Sequence, residues 1–62
     1  MTITIFEGYT PDYVLFGAKD DRFHKAFGNI VRAPVTKMYQ NMAEITAWAN
    51  NEFGEKVLFE ID

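Results

Sequence analysis

The chain has 62 residues, of which 48% are hydrophobic and 16% aromatic, and it carries a net charge of −3 without any cysteine. A chain of this length forms one domain, residues 1–62, that buries only about 60% of the surface its unfolded state exposes. The apolar content excludes intrinsic disorder, and one histidine without cysteine excludes disulfides and the usual structural zinc sites.

The first residues give no sign of export. Residues 1–7 lack the basic start and the long apolar stretch of a secretion signal. No run of 18 apolar residues, the length needed to cross a bilayer as a helix, occurs anywhere. We therefore expect a soluble, cytoplasmic protein.

Alternating patterns at both ends of the chain predict strands. Over residues 2–7, Ile3 and Ile5 share one side while threonines and Phe6 take the other. Residues 56–61 alternate in the same way and predict a second strand near the end of the chain. A period of two with β-branched and aromatic residues is typical of strands.

Residues 12–17 allow two interpretations. Thr10, Pro11 and Asp12 look like a helix start, with a threonine cap and proline at the first helical position. The short apolar run that follows, closed by Gly17, equally indicates a buried strand. The segment is either a strand or a single helical turn.

Two amphipathic helices are predicted between these segments. The first covers about residues 20–31, capped by Asp20 or Asp21 and stopped by Pro34. The second covers about residues 35–53 and ends before Gly54, which suits a left-handed cap. Its apolar stripe has helical spacing and consists of Val35, Met38, Met42, Ile45, Ala49 and Phe53.

These elements predict an α+β fold in which both helices pack on one face of a two- or three-stranded sheet. Such a small sheet leaves strand edges unpaired. An unpaired edge can pair with the same edge of a second chain. We therefore expect self-association, most simply as a homodimer.

The number of aromatic side chains also favours a contact surface. Six Phe, three Tyr and one Trp exceed what so small an interior holds, and exposed apolar patches usually mark contact sites. Trp48 lies at the edge of the second helix's stripe, where tryptophan often anchors an interface. The predicted protein interface is Trp48, Tyr39, Tyr13 and Tyr9. The alternative is that Trp48 only covers the chain's own core.

Basic residues concentrate in the middle of the chain. Arg22, Lys25, Arg32 and Lys37 form a basic contact face in the predicted helices, and the remainder of the sequence is strongly acidic. This face suits phosphates or an acidic protein. The close helix pair resembles a helix-turn-helix arrangement in outline, although an overall pI near 4.9 disfavours nucleic acid. The simpler interpretation is the solvated side of amphipathic helices.

The sequence contains few residues or motifs that indicate catalysis or the binding of a metal or cofactor. His24, four residues after Asp20, is of a residue type that acts as a general base, but the chain has no serine or cysteine for it to activate. The four glycines are isolated, so there is no phosphate-binding loop. We predict no catalytic residue, no metal site and no cofactor.

The sequence therefore favours a small non-catalytic protein-binding or regulatory module that self-associates. A nucleic-acid-binding module using the basic face is the first alternative. A structural subunit of a larger assembly is the second, and an enzyme comes last.

Overall fold

The computed structural model describes residues 1–61 and shows a small α+β fold, as predicted. The four strands are β1 (Thr2–Tyr9), β2 (Tyr13–Gly17), β3 (Ile30–Pro34) and β4 (Lys56–Ile61). The helices are α1 (Asp21–Phe27) and α2 (Met38–Phe53), and a 3-10 turn at Val35–Lys37 precedes α2.

The strands form one mixed sheet in the order β3-β2-β1-β4. Neighbours β1 and β2 are antiparallel, as are β2 and β3, whereas β1 and β4 run parallel. The parallel pair is possible because α2 carries the chain back across the sheet from β3 to β4. The sheet thus has four strands, whereas the sequence predicted two or three.

The ambiguous segment is a strand. Thr10, Pro11 and Asp12 form a turn, in which the Thr10 N–H donates to the Tyr13 carbonyl at 2.8 Å and the Thr10 hydroxyl accepts from the Tyr13 N–H at 3.0 Å. This turn returns the chain along β1, with Tyr9 opposite Val14. Pro11 therefore lies in a hairpin turn, not at a helix start.

The first helix is shorter than predicted. It begins at Asp20, whose carboxylate accepts from the Arg22 backbone N–H as an N-cap, and it ends at Gly28, which has a φ of 85°. Residues 30–34, assigned to the helix or its end in the sequence-based prediction, form β3 and pair with β2. The cause is Gly28, since its conformation breaks the helix and leaves the β-branched Ile30 and Val31 free to join the sheet.

The second helix starts three residues later than predicted but ends as expected. Residues 35–37 form the 3-10 turn, and Gly54 closes α2 in the left-handed conformation with a φ of 65°. Ile45 and Ala49 are fully buried, whereas Val35 and Phe53, at the ends of the predicted stripe, are partly exposed. In the described residues, neither helix is long and apolar enough to cross a membrane.

Both helices pack on the same face of the sheet. The buried core joins Phe23 of α1 and Ile45 of α2 to one side of the strands. Its members are Ile3, Ile5, Val14, Phe16, Ala18, Phe23, Ala33, Ile45 and Ala49. Among residues 1–61, no helix lies over the opposite side of the sheet, and we call this side the open face.

Candidate interaction surface

The open face carries four apolar side chains from all four strands. They are Phe6 of β1, Leu15 of β2, Ile30 of β3 and Leu58 of β4, each alternating with residues that enter the core. Ile30 is 59% exposed and Leu58 is 49% exposed, while Phe6 and Leu15 are half-buried. Of these, Phe6, Leu15 and Ile30 line one depression, and apolar side chains grouped on a surface often mark interaction sites.

Two glycines leave bare backbone beside these side chains. In the strand register Gly17 lies opposite Phe6, and Gly8 lies opposite Leu15. A shallow depression of about 160 Å³ lies there, lined by these four residues together with Phe16 and Ile30. The centre of the open face is therefore concave and largely apolar.

The fold does not require either of these glycines. Positive φ angles occur only at Gly28 and Gly54 among the described glycines, so Gly8 and Gly17 have backbone conformations that any residue adopts. A Cβ atom at Gly8 would lie 3.9 Å from the Leu15 Cβ, an ordinary van der Waals contact. A Cβ atom at Gly17 would lie 3.6 Å from the Asn29 carbonyl oxygen, again without a clash. Glycine inside a strand often marks a position where another backbone or a ligand approaches closely.

Basic side chains surround the apolar patch. The Lys19 Nζ lies 6.0 Å from the centroid of the Phe6 ring. The guanidinium of Arg32 lies 4.7 Å from the centroid of the Tyr13 ring. Lys56, opposite Thr2 in the register, is exposed at the β4 edge of this face. Glu60, opposite Phe6, is the single acidic residue that the described strands bring there.

The helix side of the molecule carries charges of both signs, because Arg22, Lys25 and Lys37 lie there with several acidic residues. It bears Glu44 and Glu52 of α2 and Asp21 of α1, all at least partly exposed. On or beside the open face, by contrast, Lys19, Arg32 and Lys56 outnumber Glu60, so this face is locally basic despite the net charge of −3. A face with this polarity favours a partner that carries negative charge.

Trp48 belongs to an aromatic cluster at the end of α2. Its ring lies 5.1 Å from Phe27, 5.3 Å from Phe53 and 6.0 Å from Phe23, all in edge-to-face geometry. Such pairs stabilise a core by about 0.5–1.5 kcal/mol each beyond area burial. Trp48 is only half-buried, and it lines an open groove of about 520 Å³ between α1 and α2. These contacts fit the alternative in which the indole covers the chain's own core.

The three tyrosines of the predicted interface lie on different parts of the molecule. Tyr39 is 78% exposed at the start of α2. Tyr9 lies at the end of β1, where its hydroxyl donates to the buried Glu7 carboxylate at 2.6 Å. This hydrogen bond to Glu7 raises the pKa of Tyr9 above its ordinary value of 10.0. Tyr13 lies at the rim of the open face beneath Arg32. The structure does not bring these three side chains and Trp48 together as one surface.

The predicted basic contact face is also divided. Arg22 and Lys25 lie on α1, Arg32 lies in β3 on the open face, and Lys37 lies in the 3-10 turn. Since β3 separates α1 from α2, the helices do not form a helix-turn-helix pair. The four basic residues therefore do not form one face on the helices. Arg32 retains a role as part of the basic rim of the open face.

Arg22 is already engaged within the chain. Its guanidinium donates to Asp20 at 2.8 Å and to the buried Glu55 at 2.9 Å, and it lies 4.3 Å from the centroid of the Phe53 ring. The side-chain hydrogen bond from Arg22 lowers the pKa of Asp20 to about 2. The same ion pairs, led by the hydrogen bond to Asp20, raise the pKa of Arg22. Arg22 thus ties the start of α1 to the segment that enters β4.

His24 makes a contact that fits a structural role. Its Nε2–H donates to the Ala18 carbonyl oxygen at 2.5 Å, and its ring packs edge-on against Phe23. The hydrogen bond ties α1 to the segment that follows β2. Within residues 1–61, no three histidine or acidic side chains are grouped closely enough to hold a metal ion.

The sequence-based prediction missed the residues of the open face. The signal was present, because Phe6, Leu15 and Leu58 each interrupt the polar side of an alternating strand. A strand with apolar residues on both sides is typical of a sheet covered twice. In the part of the chain that the structure describes, helices cover only one face, so the second apolar side is left exposed.

The chain matches no protein-family model, and comparison with curated proteins and with solved structures finds no match either.

Proposed function

We propose that this chain is a small non-catalytic protein-binding module that self-associates and whose main contact surface is the open face. The observation that carries the proposal is the pair of glycines, Gly8 and Gly17, that bare the backbone beside Phe6 and Leu15 without a structural need. Glycine weakens a strand by roughly 0.5–1 kcal/mol relative to alanine. A destabilising glycine that the fold does not require is expected where function needs another backbone or a ligand to approach the strand closely.

The chemistry of the open face indicates the kind of partner. Its centre is apolar, and Lys19, Arg32 and Lys56 surround it with positive charge. A protein segment with apolar residues between Asp or Glu side chains complements both features. The proposal includes action in the cytoplasm, as expected from the cysteine-free sequence.

A selection of randomly composed peptides displayed on phage tests this proposal. We expect the peptides that bind the wild-type chain to be apolar and acidic. They should lose affinity on the order of tenfold toward a chain carrying Gly8→Thr and Gly17→Val, because the new side chains fill the depression.

The matched control is Tyr39→Thr, a change at an exposed residue on the helix side. Peptide binding to this variant should equal binding to the wild type. If the selected peptides bound the glycine variant as tightly as the wild type, the open face would not be their site and the proposal would fail.

A nucleic-acid-binding module is the second candidate. It is favoured by the aromatic rings of Phe6 and Tyr13, each with a basic side chain over or beside it on the open face. Bases stack on exposed aromatic rings, and nearby cations contact phosphates. Fluorescence anisotropy with labelled single-stranded RNA and DNA at low salt tests it. Binding that weakens steeply with salt and is lost in Arg32→Ala would favour this candidate over a protein partner.

A further inference from the structure

The outer edge of β4 presents backbone groups without a partner strand. The Lys56 N–H donates to the Met1 carbonyl at 3.1 Å, and Lys56 and Leu58 lie opposite Thr2 and Thr4 of β1. Successive residues of a strand direct their N–H and C=O groups to opposite sides. The backbone groups of Val57 and Phe59 therefore point away from β1, and no strand lies beyond them among residues 1–61.

The two outer strands of the sheet are unequally protected. At one edge, β3 carries the exposed Arg32 and ends at Pro34, whose nitrogen cannot donate a hydrogen bond. At the other edge, β4 has neither proline nor glycine, and its charges at Lys56 and Glu60 cancel. Edge strands of this second type are templates for pairing with another chain.

We propose that β4 pairs antiparallel with β4 of a second copy, so that two sheets join into one of eight strands. The pairing is centred on Leu58, which lies opposite Leu58 of the second copy. Val57 then lies opposite Phe59, and Lys56 lies opposite Glu60. This inference rests on the self-association part of the proposed function and specifies its geometry.

Backbone geometry and charge select the same register. Val57 and Phe59 of each copy, whose N–H and C=O groups point outward, become hydrogen-bonded pairs. Lys56 and Glu60 meet their opposites at both ends of the pairing, and opposite charges across strands are favourable. A slip of two residues toward the start of β4 puts Lys56 opposite Leu58 and breaks both ion pairs. A slip of one residue also breaks them and puts the helices of the two copies on opposite faces of the joined sheet.

The joined sheet has a consequence for the open face. Since the helices of both copies lie on one side, the two open faces become one continuous surface with Leu58 of each copy at its centre. Only one short strand from each copy contributes to the contact. The dimer is therefore weak and dissociates on dilution.

Disulfide trapping tests the pairing, because the native chain has no cysteine. In the proposed register the two copies of Leu58 form a pair without mutual backbone hydrogen bonds, with Cα atoms about 4.5 Å apart. That distance lies within the range that a disulfide spans. We expect Leu58→Cys to form a covalent dimer under mild oxidation.

The matched control is Ile30→Cys, exposed on the same open face but located on β3. It should remain largely monomeric at the same protein concentration and oxidant. Equal cross-linking of the two variants would overturn the β4 pairing.

Charge exchange provides a second test that leaves the core intact, because Lys56 and Glu60 are both exposed. Lys56→Glu puts two acidic residues opposite each other at each end, and Glu60→Lys puts two basic residues there. Each variant alone should dimerise on the order of tenfold more weakly in sedimentation equilibrium. An equimolar mixture of the two should regain the dimer, since every pair is then opposite in charge.

The outcomes separate this inference from the function on which it rests. Undiminished dimers in both single variants, or a mixture that stays monomeric, would overturn the β4 register while leaving the open-face proposal to the peptide selection. A wild-type chain that is monomeric at millimolar concentration would overturn the pairing and the self-association together. Trp48 fluorescence reports in each case that the variant is folded.

Discussion

Replacing a glycine of the open face should stabilise the fold, whereas replacing a glycine at a helix end should destabilise it. The four glycines thus fall into two pairs with opposite expected signs. Gly8 and Gly17 lie in strands at ordinary φ angles, while Gly28 and Gly54 have φ angles of 85° and 65°. The contrast tests whether the fold needs the strand glycines.

The magnitude for Gly17→Val follows from its neighbours. Removing glycine from a strand contributes roughly 0.5–1 kcal/mol. A valine there also gains a cross-strand contact with the Phe6 ring, and an aromatic pair with a β-branched residue contributes about 0.2–1 kcal/mol. We expect a net gain of about 1 kcal/mol in the free energy of unfolding, or roughly 4–8 °C in Tm for a domain of this size.

The helix-end glycines should respond in the opposite direction. Gly28, at a φ of 85° and a ψ of −169°, lies in a region that is nearly restricted to glycine, and alanine there costs about 1–3 kcal/mol. Gly54 is left-handed, where alanine costs about 1–2 kcal/mol. Both losses are a large fraction of the stability of so small a domain.

Urea unfolding followed by Trp48 fluorescence measures Gly17→Val, Gly28→Ala and Gly54→Ala. The single tryptophan packs against three phenylalanine rings, so its emission should change when the fold is lost. The dependence on urea should stay the same, because the surface exposed on unfolding barely changes. A loss of about 1 kcal/mol in Gly17→Val would refute the reasoning. It would show that the fold needs this glycine, and the proposed binding surface would lose its main support.

Three further predictions concern the helix side. Asp20→Asn should lower the free energy of unfolding by about 1 kcal/mol at neutral pH. Because the pKa of Asp20 is lowered to about 2, this deficit persists above pH 4 and disappears as the pH falls to 2. Urea titrations at several pH values measure this dependence. Phe23→Ala empties a fully buried site and should cost about 3–5 kcal/mol, enough to unfold much of the chain in circular dichroism. Tyr9→Phe removes the hydroxyl that donates to Glu7, a carboxylate that is only 5% exposed, and should lower the Tm, whereas Tyr39→Phe should leave the Tm unchanged.

Much of the fold is predictable from local patterns. The alternation of β1 and β4 and the helical stripe around Ile45 and Ala49 follow directly from periodicity, and both of these central residues of the stripe are buried. The end of α2 at Gly54 follows from the preference of the left-handed cap for glycine.

The missing strand shows where local patterns fail. Ile30 and Val31 have helical spacing from Phe23 and Phe27, yet they lie in β3. Gly28 decides the outcome, because α1 ends where this residue adopts a φ of 85°. From the sequence alone, the glycine indicates only a lower helix propensity. A β3 strand also depends on pairing with β2, and pairing between distant segments is not visible in the spacing of a single segment.

The candidate surface was harder to predict for a similar reason. Trp48 and Tyr39 are conspicuous as residue types, but exposure depends on what packs against them. Trp48 is surrounded by three rings, whereas Leu58 is 49% exposed although its neighbours Val57 and Phe59 pack against the core. Whether a side chain belongs to the core or to the surface is fixed by which face the helices cover, which is a property of the whole fold.

The parallel pairing of β1 with β4 sets the order in which the chain folds. The hairpin of β1 and β2 and the neighbouring β3 join segments close in sequence, whereas Thr2 pairs with Lys56. Closing so long a loop costs entropy before its contacts form, and such contacts slow folding. We expect the first three strands to assemble early and β4 to dock last. Until then β1 is itself an unpaired edge, with Ile3 and Ile5 on its core face, and this incomplete sheet is the species most prone to aggregate.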